Sequence, residues 1–182
     1  MTQHPSNPAL STSLPRLFWR AAGCIAMGVV LDQWLKVWAV STFREGEFQA
    51  FIGGFLSLGL IYNKGAAWGM LGGATLILAV LRLLVGLWLT FSLLRGKYRD
   101  IWVPLSLIAA GALGNALDGF RLGKVVDPLM SHTLSSITRF LYKQDFPIFN
   151  LADVFVVSGV VLLVLKGLLR SPNRGSATAS SL

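Results

Sequence analysis

Four stretches of this chain, residues 17–40, 75–94, 101–117 and 149–169, are each apolar and about as long as a bilayer is thick. A hydrocarbon core of ~30 Å takes about 20 helical residues to cross. Inside hydrocarbon a segment must pair its own backbone N–H and C=O groups, so spans of this kind are helices. The bulk numbers agree: of 182 residues 54% are hydrophobic and 13% charged, with a mean hydropathy of +0.64. That is too apolar for a soluble domain of this size. The expected fold is all-α, a four-helix transmembrane bundle forming one unit over 17–170. Polar tails flank it at 1–16, which reads as disordered, and at 171–182.

Four crossings put both termini on one side, and the basic residues indicate which. One face carries Arg16, Arg20, Arg95, Lys97, Arg99, Lys166, Arg170 and Arg174, with Asp100 as its acid. The other carries Arg44, Lys64, Arg121, Lys124, Arg139 and Lys143, offset by Glu45, Glu47, Asp118, Asp127 and Asp145. Short loops rich in Lys and Arg stay in the cytoplasm, and the 95–99 loop is of that kind. Both termini are therefore expected to be cytoplasmic.

The segments between spans are not featureless. Residues 43–73 are too rich in glycine for a further span; Phe, Ile, Leu and Tyr between Gly53, Gly54 and Gly59 suggest a small sheet on the outer surface. Gly65 to Gly69 reads as the start of a short helix, with Trp68 at the headgroups. In 131–143, Leu134, Ile137, Phe140 and Leu141 follow helical spacing, with Arg139 and Lys143 at the edge, as in an interfacial helix.

Composition also excludes classes. Cys24 is the one cysteine, and His4 and His132 are far apart, so neither an internal disulfide nor a His/Cys zinc site is expected. The net charge of +8 forms no dense basic run, which argues against nucleic acid. Ala21-Ala22-Gly23-Cys24 looks like a lipobox, but its apolar run follows the cysteine instead of preceding it.

Polar residues next to the spans are the informative ones, because a carboxylate beside hydrocarbon is expensive. Asp127 precedes Pro128, so its backbone should be extended and the preceding helix already finished. Asp153 falls in the first turns of the last span, where a helix N-terminus favours an anion. Two such carboxylates, if brought together, share one proton and activate a water. Asp32 and Lys36 lie i, i+4 on one helix face. With Arg82 in the second span they suggest an Asp32–Arg82 or Asp32–Lys36 contact holding the bundle. Asp118 closes the third span and reads as structural, paired with Arg121 or Lys124.

Four patches occur in order on this frame: Asp32-Gln33-x-x-Lys36, Asn63-Lys64-Gly65-Ala66-Ala67-Trp68, Gly114-Asn115-x-x-Asp118 through Val126-Asp127, and Phe149-Asn150-Leu151-Ala152-Asp153. Together they resemble the lipoprotein signal peptidases, or signal peptidase II, of the bacterial inner membrane. The resemblance implies an aspartic endopeptidase that cuts diacylglyceryl-modified prolipoproteins just before the lipidated cysteine, with its site at the outer face. It implies Asp127 and Asp153 as the catalytic dyad. It also implies Asn63, Asn115, Asn150 and Arg121 as residues lining the site or meeting substrate. Asn150 reads equally as the N-cap of the last span. No cofactor or metal is expected; the partners are the prolipoprotein and membrane lipid, and the chain is expected to act as a monomer. The competing reading is a small transporter or lipid-binding protein using Asp32, Lys36 and Arg82.

Overall fold

The computed structural model describes residues 13–64 and 75–169, the first three of them as backbone only. The chain order is α1 (Ser13–Thr42), β1 (Phe48–Ile52), β2 (Leu56–Asn63), α2 (Thr75–Leu94), α3 (Trp102–Leu122), β3 (Val125–Met130), α4 (His132–Tyr142) and α5 (Leu151–Leu169). The helices α1, α2, α3 and α5 are long and apolar enough to cross a membrane. Their outward side chains, among them Trp34, Leu84 and Val157, are apolar and exposed, as lipid contact requires.

Helix α3 is the axis of the bundle and packs against α1, α2 and α5. Its buried residues are mostly small: Ala109, Ala110, Gly111, Ala112, Gly114, Ala116 and Gly119. Small side chains let helix backbones approach where no hydrophobic force drives association. At Gly111 the approach is closest, since a Cβ there would stand 2.2 Å from the carbonyl oxygen of Ala152. One end of the bundle closes on a cluster of Ala21, Ile25, Leu89, Leu93, Leu105 and Ala109. At the other end Ala39 and Phe43 pack with Leu60 and Val126, which joins α1 to the sheet.

The sheet has order β1-β2-β3 and both pairs are antiparallel. The first two strands fall where the 43–73 segment suggested. The third comes from the other side of α3, and 125–130 carries no comparable sequence signal beyond the extended backbone expected at Asp127. In β3, Asp127 faces Ile61 and Leu129 faces Leu58, and the register slips between these pairs. Pro128 sits opposite the slip, where its missing N–H leaves no ladder bond unmade. Leu129 also exchanges two backbone hydrogen bonds of 2.9 Å with Phe149. This bridge fixes the start of α5 beside β3.

Several boundaries move. Helix α1 begins four residues before 17 and extends past 40, and α5 begins at Leu151 rather than 149. Helix α3 runs to Leu122 and stops at Gly123, whose φ of 64° ends the helix in the left-handed region. Asp118 thus lies inside α3 and does not close it. The interfacial segment is α4, capped by the Ser131 side chain accepting from the Leu134 N–H. Residues 65–74, with the short helix and Trp68, lie outside the described residues, as do the tails 1–12 and 170–182.

Candidate active site

The end of the bundle that carries the sheet also gathers most of the polar residues singled out above. Asn150 is the N-cap of α5, and its Oδ1 accepts from the Asp153 N–H at 2.9 Å. Asp153 replies, its Oδ2 accepting from the Asn150 N–H at 3.2 Å. This reciprocal pair satisfies two donors of the helix start and fixes both side chains. Asn150 is fully buried, and its Nδ2 donates to Asp127 Oδ1 at 2.6 Å and to Asn115 Oδ1 at 2.9 Å. Both readings of Asn150 therefore hold together: it caps α5 and it lines the pocket of carboxylates.

Asp127 and Asp153 approach from different elements, β3 and α5, with amides around them. Asn63, the last residue of β2, donates from Nδ2 to Asp127 Oδ2 at 3.1 Å. Asn115, on α3, donates from Nδ2 to Asp153 Oδ1 at 2.8 Å. Asp127 is 2% exposed. Burial, and then the neighbouring Asp153 carboxylate, push its pKa from the ordinary carboxylate value up to about 7, against the amide hydrogen bonds from Asn63 and Asn150. At neutral pH the Asp127 carboxyl is thus poised to hold a proton. Asp153 is only partly buried and borders an apolar cavity between α2, α3 and α5.

Behind this lies a second cluster. Lys36, 2% exposed, places Nζ 2.8 Å from Asp32 Oδ2, 2.9 Å from Asp118 Oδ2 and 2.8 Å from Asn115 Oδ1. An ammonium has three donors, and here all three are used. The carboxylates also hold backbone: Asp32 Oδ1 accepts from Ala152 N–H at 2.9 Å, and Asp118 Oδ2, the oxygen that meets Lys36, accepts from Val126 N–H at 3.1 Å. Asp32 thus places a negative charge on the N-terminus of α5, where the helix dipole favours it. Through Asn115 the ion cluster holds Asp153; through Val126 it holds the strand carrying Asp127.

One open alternative resolves and one sequence expectation needs correction. Asp32 pairs with Lys36, not with Arg82, which lies on α2 and lines the apolar cavity. Asp118 pairs with Lys36, not with Arg121 or Lys124. Arg121 is exposed and donates to the Gln33 side-chain oxygen at 3.2 Å, while Lys124 stands 3.3 Å over the Tyr62 ring. Local spacing suggested the nearer cations, but a buried carboxylate is worth most to the cation buried with it. Gln33 had no role assigned, yet its side-chain Nε2 stands within hydrogen-bond distance of Asp32 Oδ2, Gly114 O and Asp118 Oδ1. Its partners are 81 and 85 residues away, so only its place beside Asp32 hinted at it.

A membrane-crossing bundle with two carboxylates set in an amide shell at one end has the architecture of an integral membrane enzyme. Two solved bacterial membrane enzymes share it. One, determined by the in meso method at 2.3 Å resolution, has a TM-score of 0.72 and 29% identity over 88% of this chain and 94% of its own. The other, at 1.9 Å, has a TM-score of 0.68 and 30% identity over 84% and 94%.

The family follows from sequence. A model described as Signal peptidase (SPase) II matches residues 24–169, and the chain belongs to that family. The lipoprotein signal peptidase of Deinococcus radiodurans is 41% identical over 167 residues, 90% of this chain and 87% of that protein. That of Enterococcus faecalis is 39% identical over 142 residues, 77% and 82%. The chain is accordingly a bacterial membrane peptidase of the signal peptidase II type.

Proposed function

We propose that the chain removes signal peptides from diacylglyceryl-modified prolipoproteins, cutting just before the lipidated cysteine. A water activated between Asp127 and Asp153 does the cutting. Asp153 is the ionised partner and takes a proton from the water as its oxygen attacks the scissile carbonyl carbon. Asp127, protonated, gives its proton to the carbonyl oxygen, so the tetrahedral intermediate carries no net charge. Collapse returns the proton from that hydroxyl to Asp127, and Asp153 passes its own to the leaving amine. Two carboxylates this close do not both ionise cheaply, so one shared proton is the resting state. The observation that carries the reading is the buried Asn150 amide, which bonds to Asp127 while its own N–H and Oδ1 fix Asp153.

Placement supports the same reading. Asp127 and Asp153 sit at the end of the bundle that the charge distribution assigns to the outer face of the inner membrane, with both termini cytoplasmic. Water reaches such a site, and the acyl chains of a substrate stay in the surrounding lipid. The test is cleavage of a diacylglyceryl-modified prolipoprotein by the purified chain in detergent, followed by gel shift, beside Asp127→Asn and Asp153→Asn. Cleavage by the parent and by neither variant is expected. Cleavage surviving in one variant would remove that residue from the dyad, and a folded parent without activity would sink the assignment.

A further inference from the structure

The cavity next to Asp153 holds a cation that the ion cluster does not use. Arg82 lies on α2, well inside a membrane-crossing helix, and is partly buried. Among the described residues its guanidinium has neither an ion pair nor a hydrogen-bond acceptor, although Asp153 lines the same cavity of about 370 Å³. Two close helix contacts fix its height. A Cβ at Gly119 would meet Ala79 at 2.5 Å, and one at Gly86 would meet Leu113 at 2.7 Å. Arg82 falls between these contacts on α2, level with Asn115 and Ala116 on α3, and Asn115 is bonded to Asp153. The cavity thus has Arg82 on one wall and Asp153 on another, with Leu81, Val85 and Val157 supplying apolar surface.

An arginine at membrane depth without a partner is costly, and its five donors cannot accept anything. The acceptors it lacks have to arrive with whatever fills the cavity. An extended peptide laid between α2 and α5 with its scissile bond at Asp153 brings carbonyl oxygens in a row, and apolar side chains that suit the walls. From this we infer that Arg82 is a substrate-recognition residue, its planar fork taking backbone carbonyls of the signal segment. The inference rests on the peptidase reading above and extends it to a residue outside the amide shell. Arginine suits the task because its fork holds two acceptors at once, which a lysine does not.

The test measures direct binding of a fluorescent signal-segment peptide carrying no acyl chains to the full chain in detergent, together with cleavage kinetics on the lipidated substrate. Arg82→Leu is expected to weaken peptide binding and raise KM by about tenfold, with kcat changed less than about threefold, as for the loss of a charged hydrogen bond. Arg82→Lys should fall between. Peptide affinity within twofold of the parent would overturn the assignment. A KM defect on the lipidated substrate with unchanged affinity for the acyl-free peptide would overturn it too, by moving the contact to the lipid's ester carbonyls. Because Arg82 has no partner among the described residues, its replacement should leave the unfolding midpoint level or higher. A lowered midpoint with unchanged affinity would make the residue structural. The binding arm does not need cleavage, so a failed peptidase assignment and a failed role for Arg82 give different results.

Discussion

Two pairs of aspartates sit at the same end of this bundle and share Asn115, yet they are different objects. Asp32 and Asp118 have an ammonium between them; Asp127 and Asp153 have only amides. The first pair is neutralised in part by Lys36 and also accepts from the backbone of α5 and β3 and from the Gln33 amide. It has no lone capacity left and works as a bracket. The second pair has donors enough to hold the carboxyls in place and too little positive charge to keep both ionised. In the proposed mechanism one of them holds a proton, as acid–base chemistry needs. Under that mechanism, position relative to one lysine separates the structural carboxylates from the reactive ones.

The largest expected effect tests the reactive pair. Asp127→Asn or Asp153→Asn should lower kcat by about a thousandfold or more, since acid–base groups contribute 10²–10⁴ each and act here as a unit. Stability should not fall with it. The Asp127 carboxyl has its pKa raised from 3.8 to about 7, so the folded chain binds more protons than the unfolded one between those values. Stability is then full below about pH 4 and is lost as pH rises toward 7. Asp127→Asn removes that loss. At pH 8 the variant should unfold at a higher denaturant concentration than the parent, and the gap should close near pH 4.

The bracket should respond in the opposite sense. Lys36→Met strands two carboxylates that are at most 2% exposed, and breaking a buried ion pair costs about 3–5 kcal/mol. A large drop in the unfolding midpoint, with residual activity per folded molecule, is the expected pattern. Loss of activity without loss of stability would mean that Lys36 belongs to the chemistry. Gly114→Ala probes the same bracket more gently. Its new Cβ would lie 2.6 Å from Asp32 Oδ2 and 3.4 Å from the Ala152 Cβ. Relieving that contact moves Asp32 off the start of α5, for about 1–3 kcal/mol as in other overpacked cores.

The sequence revealed one side of this comparison better than the other. Apolar runs announce the four spans, because hydrocarbon demands a long uncharged helix whatever its neighbours are. Asp127 and Asp153 stood out from their motifs and from their place at span ends. The bracket was half seen: the i, i+4 spacing of Asp32 and Lys36 was visible, but the partner of Asp118 was not. Nearby Arg121 and Lys124 look equivalent to Lys36 in a string of letters, and differ only in burial. Strand β3 stayed hidden for a similar reason. Six residues with a proline inside pair with β2 only because α3 delivers them there, and Leu129 then ties down Phe149.

The finest distinction concerns the amides themselves. The Asn63 side chain donates to Asp127 Oδ2 and so favours the ionised form, opposing burial and the charge of Asp153. Asn63→Ala should therefore raise the Asp127 pKa further, and the alkaline limb of kcat/KM, which the parent should show near pH 7, should move upward. At pH 6 the loss of activity should be only a few-fold, the scale of one hydrogen bond, and it should shrink as pH rises through the parent's limb. An unshifted limb would mean that the proton counted by the rate is not on Asp127. A limb moving downward would reverse the sign of the Asn63 contact, with the amide serving the protonated carboxyl. A shift in either direction keeps the counted proton on Asp127, and only the unshifted limb takes it off that carboxyl.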